Sequence, residues 1–262
     1  MNAWFVFPIV CSVVSLCSAG PIEAGFDQGP GSSQVDQYPG RNGAGWTGPW
    51  KVFRGTTVKA AVECIKTAPL DGGESYLQFF MAAEGDEKYF NASVQRGYVA
   101  SAPDHVISFK IRFDDAVREA KASDFFGAFG NAMKSSNFVP ASSWMVRVDV
   151  GGTKTWNTYD GFQDGGTFSP AQMREIGGRG KGLAAEAGQV YTITITNRPS
   201  EGRYDVEVTD GRRTVKSEGL GYRSAKENWA PVESGIAFHS QLGNAANTVA
   251  FSFDSVRITA GK

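Results

Sequence analysis

The chain has 262 residues, of which 41% are apolar, and a formal net charge of −1 at neutral pH. That length and apolar share are enough for a sizeable core. The charge balance argues against a nucleic-acid partner, which needs a basic footprint, and two histidines with three cysteines leave little material for a zinc centre.

Met1 to Gly20 contains no charged side chain. The apolar run WFVFPIVCSVVSLC is followed by the small residues CSAG. This is the pattern of a secretory leader cleaved near Ala19 or Gly20, although no Lys or Arg precedes the apolar run. The run is too short for a membrane span and is broken by Pro8. The expected product is residues 21–262, a single domain that is secreted, periplasmic or held at the cell surface, with no membrane span after processing. Cys11 and Cys17 leave with the leader, so Cys64 remains alone, as a buried thiol that cannot form an internal disulfide.

Next comes GRNGAGWTGPW, residues 40–50, with two tryptophans among glycines. It reads either as a sugar-stacking lip or as a clamp. Trp46 and Trp50 flank a Thr-Gly-Pro turn just before the first strand, KVF, so the clamp is the better reading. AAEGDEKYF (82–90) reads as a charged hairpin tip.

Alternation of period two then recurs. In HVISFKIRF, Ile107, Phe109, Ile111 and Phe113 share one face. SWMVRVDV sets Trp144, Val146, Val148 and Val150 against Met145, Arg147 and Asp149. VYTITITNR and RYDVEVTDG alternate likewise, and Asp210–Gly211 turns the second of these into RRTVKS as a hairpin. GIAFHSQ and AFSFDSVRIT close the series. Helix is expected only at DDAVREAKASD (114–124) and at SPAQMREIGG (169–178), where Pro170 opens and glycines stop. The remainder of 160–188 reads as a glycine-rich loop. Alternating strands with one wet face define an all-β, two-sheet antiparallel sandwich.

The closing unit, GQVYTITITNRPSEGRYDVEVTDG with GIAFHSQLGNAANTVAFSFDSVRIT, resembles the C-terminal half of concanavalin A-like jelly-roll domains. These often end in an FDNVRI-type strand after a G-x-x-F strand. The opening GFDQGPGSSQVDQYPGRNGAGWTGPW is similar to the N-terminal segment of secreted bacterial proteins with a LamG-like domain. The resemblance implies a jelly roll with a convex and a concave sheet. Its superfamily includes lectins, glycan-binding modules, glycoside hydrolases and polysaccharide lyases, and fold alone does not choose among them.

Three chemistries can be sought in the residues. Hydrolases of this fold carry E-x-D-x-E or E-x-D-x-x-E on one strand, since paired carboxylates must flank the bond. The nearest stretch has Glu84 and Asp86, but its third acid, Glu87, has the wrong parity. A polysaccharide lyase needs a Tyr or His base with Arg and an amide neutralising a uronate. His239, Arg147 and Gln241 supply those types, although the order FHSQ departs from the Q-x-H of alginate lyases, and their Y-x-K-x-G-x-Y-x-Q strand is missing. Glycan binding needs aromatic platforms and a few polar groups. Trp156, Tyr159 and Trp229 are the expected stacking residues, and Arg147, Asp149, His239 and Gln241 the expected hydrogen-bonding row.

In several jelly rolls the aspartate of the last strand binds a structural calcium with an N-terminal acid. The resemblance therefore implies Asp27 and Asp254 as calcium ligands. The reading that emerges is a secreted carbohydrate-binding jelly roll. The alternatives are a lyase or hydrolase with an unrecognised site, and a structural or adhesive surface module.

Overall fold

The computed structural model describes residues 20–26, 35–40, 45–65, 70, 75–83, 90–113, 125–132, 142–149, 154–161, 170–223, 233–243 and 248–261. The strands, in chain order, begin with β1 (Ile22–Ala24), β2 (Gln37–Tyr38), β3 (Trp50–Arg54), β4 (Val58–Ile65), β5 (Tyr76–Ala83) and β6 (Phe90–Val99). They continue through β7 (His105–Phe113), β8 (Phe125–Ala132), β9 (Ser142–Asp149), β10 (Trp156–Tyr159) and β11 (Met173–Glu175). The last five are β12 (Val190–Arg198), β13 (Arg203–Thr209), β14 (Thr214–Gly221), β15 (Glu233–Leu242) and β16 (Thr248–Ala260).

Two antiparallel sheets result. Sheet I has the order β14-β13-β12-β7-β16-β5-β4, with β1 paired to β16. Sheet II has the order β11-β10-β9-β8-β15-β6-β3-β2. This is the all-β sandwich expected from the alternation, with the chain passing repeatedly from one sheet to the other. Among the described residues no helix is long and apolar enough to cross a membrane.

The apolar rows of the two sheets meet in one aromatic-rich core. Phe238 of β15 stacks on Phe253 of β16 with ring centroids 4.0 Å apart, and Phe109 meets Phe238 edge-on at 5.1 Å. Trp50, Trp144 and Trp156 are fully buried there. Each large side chain withdrawn from water in this way contributes roughly 1.5–3 kcal/mol before entropy is counted. Gly130 of β8 is required by this packing, because a Cβ there would lie 1.9 Å from the Trp144 indole nitrogen.

The tryptophan pair of residues 46–50 is a clamp, as the sequence indicates. Trp50 lies in the core and Trp46 is half-buried, 5.8 Å away ring to ring. The Trp46 indole nitrogen donates to the Glu23 carbonyl at 2.9 Å, tying the opening segment down. The Arg96 guanidinium covers the Trp46 ring at 4.4 Å, and its Nε donates to the Gly48 carbonyl at 2.7 Å. Burial brings the Arg96 pKa down to about 10, which leaves it charged at neutral pH. Gly45, at φ +98°, approaches so closely that a Cβ would sit 2.5 Å from Ile22.

Elsewhere the structure departs from the sequence reading. Of the helix expected over 169–178, the described residues 170–178 form no α-helix: a 3-10 turn at Pro170–Gln172 leads straight into β11, which pairs with β10. The backbone hydrogen bonds of Met173–Glu175 are satisfied across the sheet rather than along a helix. KVF is not the first strand either, since β1 and β2 precede it. The 114–124 helix, residues 84–89 of the 82–90 hairpin tip and residues 1–19 of the leader lie outside the described residues. Cys64 is buried, with Sγ 3.9 Å from the Phe26 carbonyl.

Candidate functional site

The outward face of sheet II is built by the odd-even rule of a strand. On β15, Ile236 and Phe238 enter the core, so Ala237, His239 and Gln241 point out. On β9, Val146 and Val148 enter, so Met145, Arg147 and Asp149 point out. Strand pairing then aligns these positions. One row runs Phe53, Ser93, His239, Gly127, Arg147, Asn157 and Glu175, one residue from each strand from β3 to β11. A second row, one step along, runs Asn91, Gln241, Phe125 and Asp149. A third runs Lys51, Gln95, Ala237, Phe129 and Met145.

Access differs sharply among the rows. Ala237, Phe129 and Met145 are buried, and Phe129, Met145 and Tyr159 form a small apolar cluster of their own. Arg223, just beyond β14, is anchored there by its backbone N–H on the Ser143 carbonyl at 3.0 Å, and its guanidinium lies 5.9 Å from the Tyr159 ring. The Tyr159 hydroxyl donates to Gln172 Oε1. Towards the second row the face opens: side-chain exposure is 14% at Arg147 and 29% at Asp149, Gln241 and Phe125 are half-buried, and Asn91 is exposed. At the β3 end of the first row Phe53 is 51% exposed.

His239 stands at the centre, 6% exposed, its ring between Phe125 at 5.6 Å and Phe129 at 5.7 Å. Burial, and then the positive charges of Arg147 and Arg223, lower its pKa to about 4. At neutral pH it is therefore an uncharged imidazole with one lone pair and one N–H. Arg147 lies over the Phe125 ring at 4.4 Å, and its Nη2 donates to the Asp149 carboxylate. Gly127 sits between His239 and Arg147 because no side chain fits: a Cβ would lie 2.7 Å from the Arg147 Cβ and 2.3 Å from the Val146 carbonyl. Neutral imidazole, guanidinium, carboxylate and amides beside aromatic faces are groups suited to hydroxyls and to a ligand carboxylate.

Of the residues expected from sequence, Arg147, Asp149, His239 and Gln241 share this face. Trp156 does not. It occupies an inward position of β10, fully buried, 5.4 Å from Phe113 and 5.3 Å from Tyr191, so it cannot stack on a ligand. Its polar neighbours in sequence, Thr155 and Asn157, flank it because the strand alternates. Tyr159 does point outward but is only 1% exposed beneath Gln172 and Arg223, which removes it as a stacking surface. Trp229 lies outside the described residues.

Asp27 also lies outside them, while Asp254 is buried in β16 beside a bulge at Ser255, where φ is +52°. Among the described residues no three His, Cys, Asp or Glu side chains are grouped. Asp254 by itself does not make a calcium cage of six to eight oxygens.

Sequence reasoning missed Phe53, Phe125, Phe129 and Arg223. Phe53 carried a signal, since WKVF alternates and sets it opposite Trp50 and Val52. Phe125 and Phe129 lie in FFGAFG, whose glycines weaken a strand pattern. Arg223 lies just beyond the end of a strand and carried no signal.

No protein-family model matches the chain, and no curated protein matches it by sequence. Solved structures with a similar backbone include carbohydrate-binding modules from the β-sandwich superfamily, at 10% identity and a TM-score of 0.37, covering 79% of this chain and 55% of that one. The chain thus spans about half of that structure. A legume lectin-like domain from Entamoeba histolytica is similar at 9% identity and a TM-score of 0.48, over 79% of this chain and 91% of that one. The catalytic domain of a glycoside hydrolase family 131 protein from Coprinopsis cinerea is similar at 10% identity and a TM-score of 0.48, over 76% and 77%.

Proposed function

We propose that this is an exported carbohydrate-binding protein whose ligand lies on the open part of the sheet II face. The observation that supports this most directly is the accessible set on that face, with Phe53 at one end, Arg147 and Asp149 at the other, and Asn91 and Gln241 between them. An exposed ring at one end offers an apolar platform for a pyranose face, and amides, a carboxylate and a guanidinium further along offer partners for its hydroxyls. Titration calorimetry against a panel of soluble polysaccharides tests it. Phe53→Ala and Gln241→Ala should each weaken binding by about five- to tenfold, in keeping with a contact of about 1 kcal/mol. Absence of binding to every glycan, or binding indifferent to both changes, overturns the reading.

A second reading is favoured by one feature, the neutral imidazole held close to two guanidinium groups. In a polysaccharide lyase, His239 would accept the proton adjacent to a uronate carboxylate while Arg147 stabilises the enolate charge. New ultraviolet absorbance from an unsaturated uronate product, lost in His239→Ala, is the outcome this reading requires.

A further inference from the structure

At the β11 edge of sheet II, two hydrogen-bonded loops bring together cations that form no ion pair among the described residues. Residues 175–182, EIGGRGKG, leave β11 through Gly177, Gly178 and Gly180, all with positive φ. The Glu175 carboxylate organises this loop from inside, accepting the Gly180 N–H at 2.5 Å and the Gly182 N–H at 2.8 Å. Opposite stands the β13–β14 hairpin tip, residues 210–213, DGRR, where Asp210 Oδ1 accepts the backbone N–H groups of Arg212 at 2.8 Å and Arg213 at 2.7 Å. The two loops are stitched by Arg213 Nη2 donating to the Lys181 carbonyl, and by the Gly177 N–H donating to Ser217 Oγ at 3.2 Å.

Both carboxylates of the pair of loops are thus spent on backbone amides. Arg179, Lys181, Arg212 and Arg213 are all exposed, Arg213 with one nitrogen on the Lys181 carbonyl, and none forms an ion pair among the described residues. Four cations stand against two acids here, in a chain whose net charge is −1. A concentration of like charge on pre-ordered loops is disfavoured by mutual repulsion and is relieved by a multivalent anion.

We propose that this surface binds an anionic polysaccharide, one bearing regularly spaced sulfate or carboxylate groups. The two loops contain no aromatic ring on which a nucleic-acid base could stack. Their one large apolar residue, Ile176, is buried, so nothing is offered for insertion into a lipid surface. Glu175, where the first loop begins, also ends the row that starts at Phe53. Arg179 and Lys181 therefore stand just beyond the β11 edge of the same sheet. The choice of a polysaccharide as the polyanion rests on the glycan reading above; the anion site itself does not.

Retention on heparin-agarose tests the site. The parent protein should bind at low ionic strength and elute with salt. R179S/K181S and R212S should elute earlier and lose about tenfold or more in affinity, with a shallower salt dependence, since fewer counterions are exchanged. Their thermal midpoints should match the parent. Dextran sulfate and polygalacturonate should each displace the protein, which compares sulfate with carboxylate, and neutral dextran should not. Elution of both variants with the parent overturns the proposal, and so does displacement by double-stranded DNA as efficient as that by dextran sulfate at equal charge. The face is probed separately with neutral glycans and Phe53→Ala, so either result can fail while the other stands.

Discussion

The hydroxyl of Tyr204 in β13 lies 2.8 Å from Oγ1 of Thr158 in β10, at the point where the two sheets are hydrogen-bonded to each other through the core. The same hydroxyl donates to the Tyr159 carbonyl, and Thr158 Oγ1 reaches the Met145 carbonyl at 2.8 Å. Burial raises the Tyr204 pKa, so the group stays protonated and able to donate. Tyr204→Phe leaves the Tyr159 carbonyl without this donor and should cost about 1–3 kcal/mol in urea denaturation. Because Tyr159 backs the apolar cluster under the candidate site, glycan affinity should fall in the same variant.

Gly127→Ala places a Cβ against the Val146 carbonyl and Arg147. The strand must shift or Arg147 must move, at about 1–3 kcal/mol. The expected signature is a lower melting midpoint together with weaker glycan binding. An alanine accommodated with no loss of either would show that the close approach of β8 and β9 at this point is relaxed in solution.

Trp156→Ala and Phe53→Ala should behave as opposites. Trp156 fills the core, and its truncation should cost about 3–5 kcal/mol by denaturation, with binding lost only as the fold is lost. Phe53 is half-exposed, and its truncation should change stability by less than about 0.5 kcal/mol while weakening binding. Measuring chemical denaturation and calorimetric affinity on both variants separates the two roles.

The lowered pKa of His239 sets a pH dependence with a definite sign. Its ordinary value of 6.5 drops to about 4 in the folded state, facing Arg147 and Arg223. The unfolded chain therefore binds this proton first. Stability from this site is complete above about pH 6.5 and declines as pH falls towards 4, by up to about 1.4 kcal/mol per pH unit. His105, also lowered by burial, acts in the same direction. His239→Gln should reduce the acid-side slope without abolishing it, and an unchanged slope would refute the assignment.

How much of this was legible beforehand depended on the range over which each feature is determined. Period-two alternation is local, so it sorted Arg147, Asp149, His239 and Gln241 to outward positions and Trp144 to the core from a few neighbouring residues each. The Asp210–Gly211 turn and the Trp46–Trp50 clamp were equally local, since a backbone-capping aspartate and a glycine-flanked turn carry their chemistry within a few positions. Trp156 shows the limit of such reading. Polar neighbours suggest a loop, whereas pairing to β9 and β11 makes it the inward residue of a strand next to the sheet edge.

What the sequence by itself determined is the class of fold and the parity of each strand, because a strand's side chains alternate whatever it pairs with. Only the tertiary structure decided that β8 lies between β15 and β9, bringing His239 and Arg147 to either side of Gly127, and that Arg223 caps Tyr159. It alone decided that Lys181 and Arg213, distant along the chain, share one charged edge. Strand order and the covering of a face are set by contacts between distant segments, and no local pattern encodes them.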